Sequence, residues 1–231
     1  MFLHQLRTLV MALFQELDAR TAQFRTVSGL QCPGGCGSCC LSDKVEATVL
    51  ELLPLAISLM GSEAGDRLLD RLSQPGLAAH CVLYDPEGRE GHCGAYPLRG
   101  VVCRLFGFAG NLDRNREPRL AACKVMRAAD SAMVSRAEAL IALEPSLLPI
   151  FSEAGIRLSA MDPGLGARRL PINEALREAM AKVEVMRLYT GTVNLNAEEG
   201  REETPLFEDG VEAHGPFPGE FGNQTGTGGV Q

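Results

Sequence analysis

The sequence predicts a mainly α-helical protein, a small helical domain around a loop-rich cysteine centre, with short irregular strands. Three observations carry this reading. Apolar residues recur at helical spacing near the start of the chain and again before residue 190, and all eight cysteines fall between Cys32 and Cys123. A chain of 231 residues, 45% hydrophobic and 22% charged, is also long enough for one core plus appendages. The same composition excludes collagen-like, wholly disordered and membrane-spanning chains.

Residues 2–27 form the first predicted helix. Leu3, Val10, Leu17 and Phe24 repeat every seven residues, Leu6, Leu13 and Val27 take companion positions, and Arg20 is the single break in the seam. Ser28-Gly29 stops it, and the seam is expected to pack intramolecularly on the cysteine region. The run Cys32-Pro-Gly-Gly-Cys36-Gly-Ser-Cys39-Cys40 is too glycine-rich for helix or strand and reads as a loop. A second helix follows, with Asp43 and Glu46 in capping-box spacing and Val45, Val49, Leu52 and Leu53 facing inward; Pro54 is expected to kink or divide it. Gly61-Ser62 restarts a shorter helix through Leu68, Leu69 and Leu72, closed by Gln74-Pro75-Gly76. From His80 to Phe108 the pattern turns irregular. Cys81-Val-Leu-Tyr84 and Gly94-Ala-Tyr96 read as short strands around an Asp85-Pro-Glu-Gly88 turn. Helix resumes after Arg119, first over 121–142 and then over 172–189, the latter entered through Pro171.

The formal charge of −7 belongs to the end of the chain. Beyond residue 190 Arg201 stands alone against Glu198, Glu199, Glu202, Glu203, Glu208, Asp209, Glu212 and Glu220, so residues 1–190 carry 21 charges of each sign. That end has no apolar periodicity to offset the entropy of ordering it and is expected to be disordered. The resulting plan is an N-terminal amphipathic helix (1–30), a cysteine-cluster metal-binding domain (31–130), a helical C-terminal part (131–190) and a disordered acidic tail (191–231). Arg7 interrupts the first apolar stretch and no basic leader precedes it, so neither a signal peptide nor a membrane helix is expected. The chain therefore reads as cytoplasmic, where thiols stay reduced and clustered cysteines point to metal or catalysis more than to disulfides. A neutral body with few aromatic residues argues against nucleic acid as a partner. A protein partner would use the N-terminal helix or the acidic tail.

Cysteine used as a small hydrophobe would be scattered, whereas these eight are gathered at 32, 36, 39, 40, 81, 93, 103 and 123. Cys36-Gly-Ser-Cys39 has the spacing of a chelating turn, in which two thiolates face one ion while backbone amides point at sulfur. Adjacent side chains diverge, so Cys39 and Cys40 suit two metals, two irons of one cluster, or one ligand with a supporting thiol. Eight thiols allow two four-thiolate sites, or one iron–sulfur cluster with four thiols left over. Thiolates around a divalent ion leave negative charge behind. Arg99 and Arg104, close to Cys103 in sequence, are the expected counter-charges. His80 and His92 each precede a cysteine and are read as supporting residues rather than ligands.

The series CxxxCxxCC, His80-Cys81-Val-Leu-Tyr84, Cys93-Gly-Ala-Tyr96-Pro-Leu-Arg99, Val102-Cys103-Arg104-Leu-Phe106-Gly107 and Cys123-Lys-Val-Met-Arg127 resembles the YkgJ-type cysteine-cluster family of zinc- or iron-chelating domains, over roughly residues 20–130. The resemblance implies metal binding at Cys32, Cys36, Cys39, Cys40 and Cys103, extended to Cys81, Cys93 and Cys123, with zinc or iron, an iron–sulfur cluster included, as the cofactor. One departure is Gly100, where the family carries proline, and it is expected to loosen the turn into Cys103. Flagellin lysine methylases resemble this cysteine pattern, which implies as an alternative an iron–sulfur-dependent enzyme of methyl transfer or redox type. The CxxxCxxC spacing also satisfies the radical S-adenosylmethionine pattern. Ser38 stands where that pattern expects an aromatic residue, and a helix rather than a barrel strand precedes the motif.

Overall fold

The computed structural model describes residues 3–33, 36–74, 80–85 and 93–190. The expected Gln74-Pro75-Gly76 stop, the Asp85–Gly88 turn, His92 and the acidic tail lie wholly or partly outside these residues. Helix α1 (Leu3–Ser28) buries Leu3, Leu6, Val10, Leu13, Phe14, Leu17, Thr21 and Phe24. Its stripe then moves to Ser28, and Val27 is exposed, contrary to its expected place in the seam. A straight helix of 3.6 residues per turn drifts by about 20° per heptad, so a strict seven-residue count fails by the fourth repeat. Gly29, at φ +69°, ends the helix with its N–H on the Arg25 carbonyl at 2.9 Å.

Strand β1 (Glu46–Thr48) pairs antiparallel with β4 (Arg169–Pro171), Ala47 opposite Leu170. Helix α2 (Val49–Leu59) starts from Thr48, not from Asp43. Thr48 Oγ1 accepts from the Glu51 N–H, and Glu51 returns a carboxylate oxygen to the Thr48 N–H at 2.6 Å. Thr48-x-x-Glu51 outcompetes the expected Asp43–Glu46 pair because residues 46–48 are taken by the β-ladder. Pro54 sits inside an unbroken α2, where a proline forfeits a single backbone bond, and nearly every α2 side chain is buried. Helix α3 (Glu63–Ser73) is capped by Ser62 as expected.

Instead of two short strands, the described residues between 80 and 105 carry an isolated bridge, Tyr84 to Cys93, then a 3-10 turn over Tyr96–Leu98 and helix α4 (Val101–Leu105). A hairpin follows, β2 (Gly110–Leu112) with β3 (Pro118–Leu120). The helix expected over 121–142 is two helices, α5 (Lys124–Ala129) and α6 (Ser131–Leu143). Asp130 breaks them apart: its N–H closes α5 on the Met126 carbonyl while its carboxylate accepts from the Met133 N–H at 2.8 Å. Helices α7 (Phe151–Met161) and α8 (Pro163–Gly166) lead through β4 into α9 (Ile172–Thr190). The architecture is mainly helical with two short antiparallel strand pairs among the described residues.

The larger core gathers the apolar faces of α1, α2, α3, α4 and α9, with α2 lying along α9. A smaller one forms around Phe24, Leu30, Met126, Val134, Ile141 and Leu148. Residues 36–42, 80–84 and 93–103, which carry six of the eight cysteines, are anchored to the larger core.

Candidate metal centre

Cys39 and Cys40 lie in a turn closed by the Cys40 N–H on the Gly37 carbonyl at 2.9 Å. The Cys81 N–H then donates to the Cys40 carbonyl at 3.0 Å, which ties two cysteine segments together through the backbone. Cys93 reaches the same place through the Tyr84 bridge and the Gly94 N–H on the Leu83 carbonyl at 2.9 Å. Cys103 comes from the middle of α4. These five, Cys39, Cys40, Cys81, Cys93 and Cys103, line one cavity of about 60 Å³. Its other walls are Val45, Leu52, Leu83, Tyr96, Arg99, Gly100, Val102, Phe106 and Ile172.

Cys32, Cys36 and Cys123 do not line it. Cys36 Sγ donates to Ser38 Oγ at 3.4 Å, and Cys123 caps α5, its sulfur accepting from the Met126 N–H at 3.4 Å. The three form an outer set. Cys32 is exposed as a residue, yet partial desolvation of its sulfur, with Cys36, Cys123 and Cys39 nearby, pushes its thiol up to about 11.

Inside the cavity the thiols differ. Cys40 donates to Cys39; that bond, helped by local backbone N–H groups and the charge of Arg99, holds Cys39 down at about 6, while Cys40 is driven up as the donor of the pair. Burial pushes Cys81 up to about 12 and raises Cys93 and Cys103. Ionising several of these sulfurs together is unfavourable without a cation.

Two residues that hold the cysteine segments carry no metal signature in the sequence. Asn173, on α9, accepts the Val82 N–H through Oδ1 at 2.8 Å and donates Nδ2 to the His80 carbonyl at 2.9 Å, clasping the backbone on both sides of Cys81. Glu51 is 1% exposed, and its second oxygen accepts the Val101 N–H at 2.6 Å at the start of the Cys103 helix. The turn into Cys103 is therefore held rather than loosened by Gly100, because a Cβ there would stand 2.9 Å from Glu51 Oε2. The Thr48-x-x-Glu51 spacing is a legible signal for Glu51; for Asn173 there is none.

The expected counter-charges separate. Arg99 lines the cavity and stacks over the Tyr96 ring, 3.9 Å from its centroid. Arg104 turns the other way, 4% exposed, onto Asp18 of α1, the Pro97 carbonyl and the Phe14 ring. His80 packs edge-on to Tyr84 and is not part of the cavity wall.

Five thiols in a wall that is otherwise apolar apart from Tyr96 and Arg99 are a soft donor set that fits zinc or iron. Among the described residues, however, no three His, Cys, Asp or Glu side chains are drawn together closely enough to hold one ion. A water needs about 10–15 Å³ of comparable space, so the 60 Å³ cavity is wider than a closed single-ion site.

Fold and wall together define a mainly helical protein with a thiol-lined cavity. Residues 31–128 match the CxxCxxCC family model, described as a "putative zinc- or iron-chelating domain". No curated protein and no solved structure matches the chain. No helix among the described residues is long and apolar enough to cross a membrane.

Proposed function

We propose that this protein binds zinc or iron through Cys39, Cys40, Cys81, Cys93 and Cys103, with Cys32, Cys36 and Cys123 as an outer set on the same domain. The observation that carries this reading is that cysteines from four separate stretches of chain meet at one cavity. An ion there would neutralise thiolates that are otherwise costly to bury, and would tie the irregular segments to α4. The test is metal quantification with an absorption spectrum on anaerobically purified protein. Colourless protein with stoichiometric zinc indicates thiolate zinc, and broad absorbance near about 400 nm indicates an iron–sulfur cluster. Cys81→Ser and Cys103→Ser are expected to lose the metal; full retention by both variants overturns the assignment to this cavity.

The width of the cavity favours a second reading, an iron–sulfur centre serving methyl transfer or redox chemistry, since a cluster fills more space than one ion. Iron and acid-labile sulfide in equal amounts would support it, and zinc alone would remove it.

A further inference from the structure

Among the described residues, no side-chain hydrogen bond or ion pair accounts for the position of Arg99. The residue lines the cavity, and its Nε is buried with no hydrogen-bond partner. Arg104 also has an unpartnered Nε, but both its terminal nitrogens are used and it faces α1. A buried donor on a cation without an acceptor is expensive, and such a group calls for a partner that the protein takes on in use. The stack on Tyr96 holds the guanidinium plane in place beside the cavity, with Nε on its buried side.

The acceptors within the wall are sulfurs. As thiols they accept weakly; as metal-bound thiolates they accept well and carry charge. An external anion is the competing partner, but several thiolates around one divalent ion leave the cavity net negative even with Arg99 included, which disfavours adding another negative charge. We propose that Arg99 is the positioning residue of the thiolate centre, donating from its Tyr96-held guanidinium to a metal-bound sulfur of Cys39 or Cys93 and so setting how firmly the metal is kept. This rests on the metal reading above. Of the wall residues, only Arg99 brings a positive charge to these two thiols. Outer partners of metal ligands typically govern affinity by about 10–100-fold.

The experiment compares full-length wild type, Arg99→Gln and Arg99→Lys. Zinc affinity is read by competition with a chromophoric chelator, the sulfur-to-metal charge-transfer band by cobalt substitution, and folding by circular dichroism on the same samples. Arg99→Gln is expected to fold, to bind about 10–100-fold more weakly, and to shift the band; Arg99→Lys, which keeps the charge without the planar fork, should regain part of the affinity with the band still displaced. Affinity within about twofold of wild type and an unmoved band in Arg99→Gln overturn the proposal. If Arg99→Gln does not fold, the band of Arg99→Lys decides: displaced supports, unmoved overturns, and failure of both variants to fold assigns Arg99 to the fold alone. A saturable band shift on adding acetate to wild type, absent in Arg99→Gln, would instead assign Arg99 to an external carboxylate. Wild type that takes up neither zinc nor cobalt sinks the metal reading itself, a result distinct from any of these.

Discussion

Glu51 does two jobs with one carboxylate: it closes the capping box of α2 with Thr48 and receives the Val101 N–H at the head of the Cys103 helix. Replacing it by alanine strands buried donors at both places, each worth about 1–3 kcal/mol. Glu51→Ala is therefore expected to lose about 3 kcal/mol, read from urea unfolding. Burial raises the Glu51 carboxyl above its ordinary value, against the opposing pull of the Thr48 and Val101 bonds. A folded-state value above the unfolded one means that the folded protein binds the proton more firmly. The Glu51 contribution to stability is thus largest below the unfolded carboxyl range, near about 4.3, and declines as pH rises through the folded value. Urea midpoints of the metal-free protein between about pH 4 and 7 should show this slope, and Glu51→Gln should lack it. The Arg104–Asp18 pair is asymmetric in another way, with Arg104 4% and Asp18 49% exposed. Asp18→Ala leaves a buried cation uncompensated, whereas Arg104→Met leaves a carboxylate that water can reach. Asp18→Ala is expected to be the worse of the two, at roughly 2 kcal/mol, below the 3–5 of fully buried pairs; equal melting shifts for the two would refute the asymmetry.

Among the elements, the hairpin β2–β3 depends on a glycine for a steric reason. A Cβ at Gly110 would lie 2.3 Å from the Arg119 carbonyl oxygen across the hairpin and 2.5 Å from Leu148 Cδ2. Neither the paired strand nor the packed leucine can yield cheaply, so Gly110→Ala should cost about 1–3 kcal/mol, and an unchanged urea midpoint would show that the hairpin floats free of the smaller core. Nothing in the sequence flags Gly110, because the obstruction comes from residues far along the chain. The long helices were legible because their signals are local: the apolar stripe of α1, the Ser62 cap of α3, and Pro171 before α9. Elements decided by neighbours or by competing caps were not. Asp130 looks like an ordinary helix residue until it serves as the end of α5 and the cap of α6 together. Helix α4 is one and a half turns whose start is stabilised by Glu51 from another helix. The same division holds at the centre. All eight cysteines could be named from their spacing, but their separation into a five-thiol wall and an outer three depends on the Cys81–Cys40 backbone bond and the Tyr84–Cys93 bridge, which no local pattern encodes.

For the molecule as a whole, the question is whether metal holds the fold together or is held by it. Small domains that need a structural metal lack an apolar core of their own. Here the larger core runs from Leu6 and Phe14 of α1 through the buried length of α2 to Leu176 and Met180 of α9, and Ala47 and Leu170 join it through the β1–β4 pair. Cys81 is buried in that core and Cys40, Cys93 and Cys103 pack against it, but most of its residues are aliphatic side chains of the helices. The cysteine segments lie on this core as turns and short helical pieces, held by single backbone bonds, the Asn173 clasp and the Glu51 carboxylate, so they are the part of the structure with the least regular hydrogen bonding of their own. Chelating the metal from purified protein should accordingly leave the far-ultraviolet spectrum nearly unchanged, while amide exchange quickens in residues 36–42, 80–84 and 93–103 and not in α1, α2 or α9. Asn173→Ala should reproduce the change around Cys81 alone and reduce metal content. Collapse of all helical signal on chelation would instead make the metal the organiser of the fold, and unchanged exchange in the three cysteine segments would mean that the bound metal lies elsewhere.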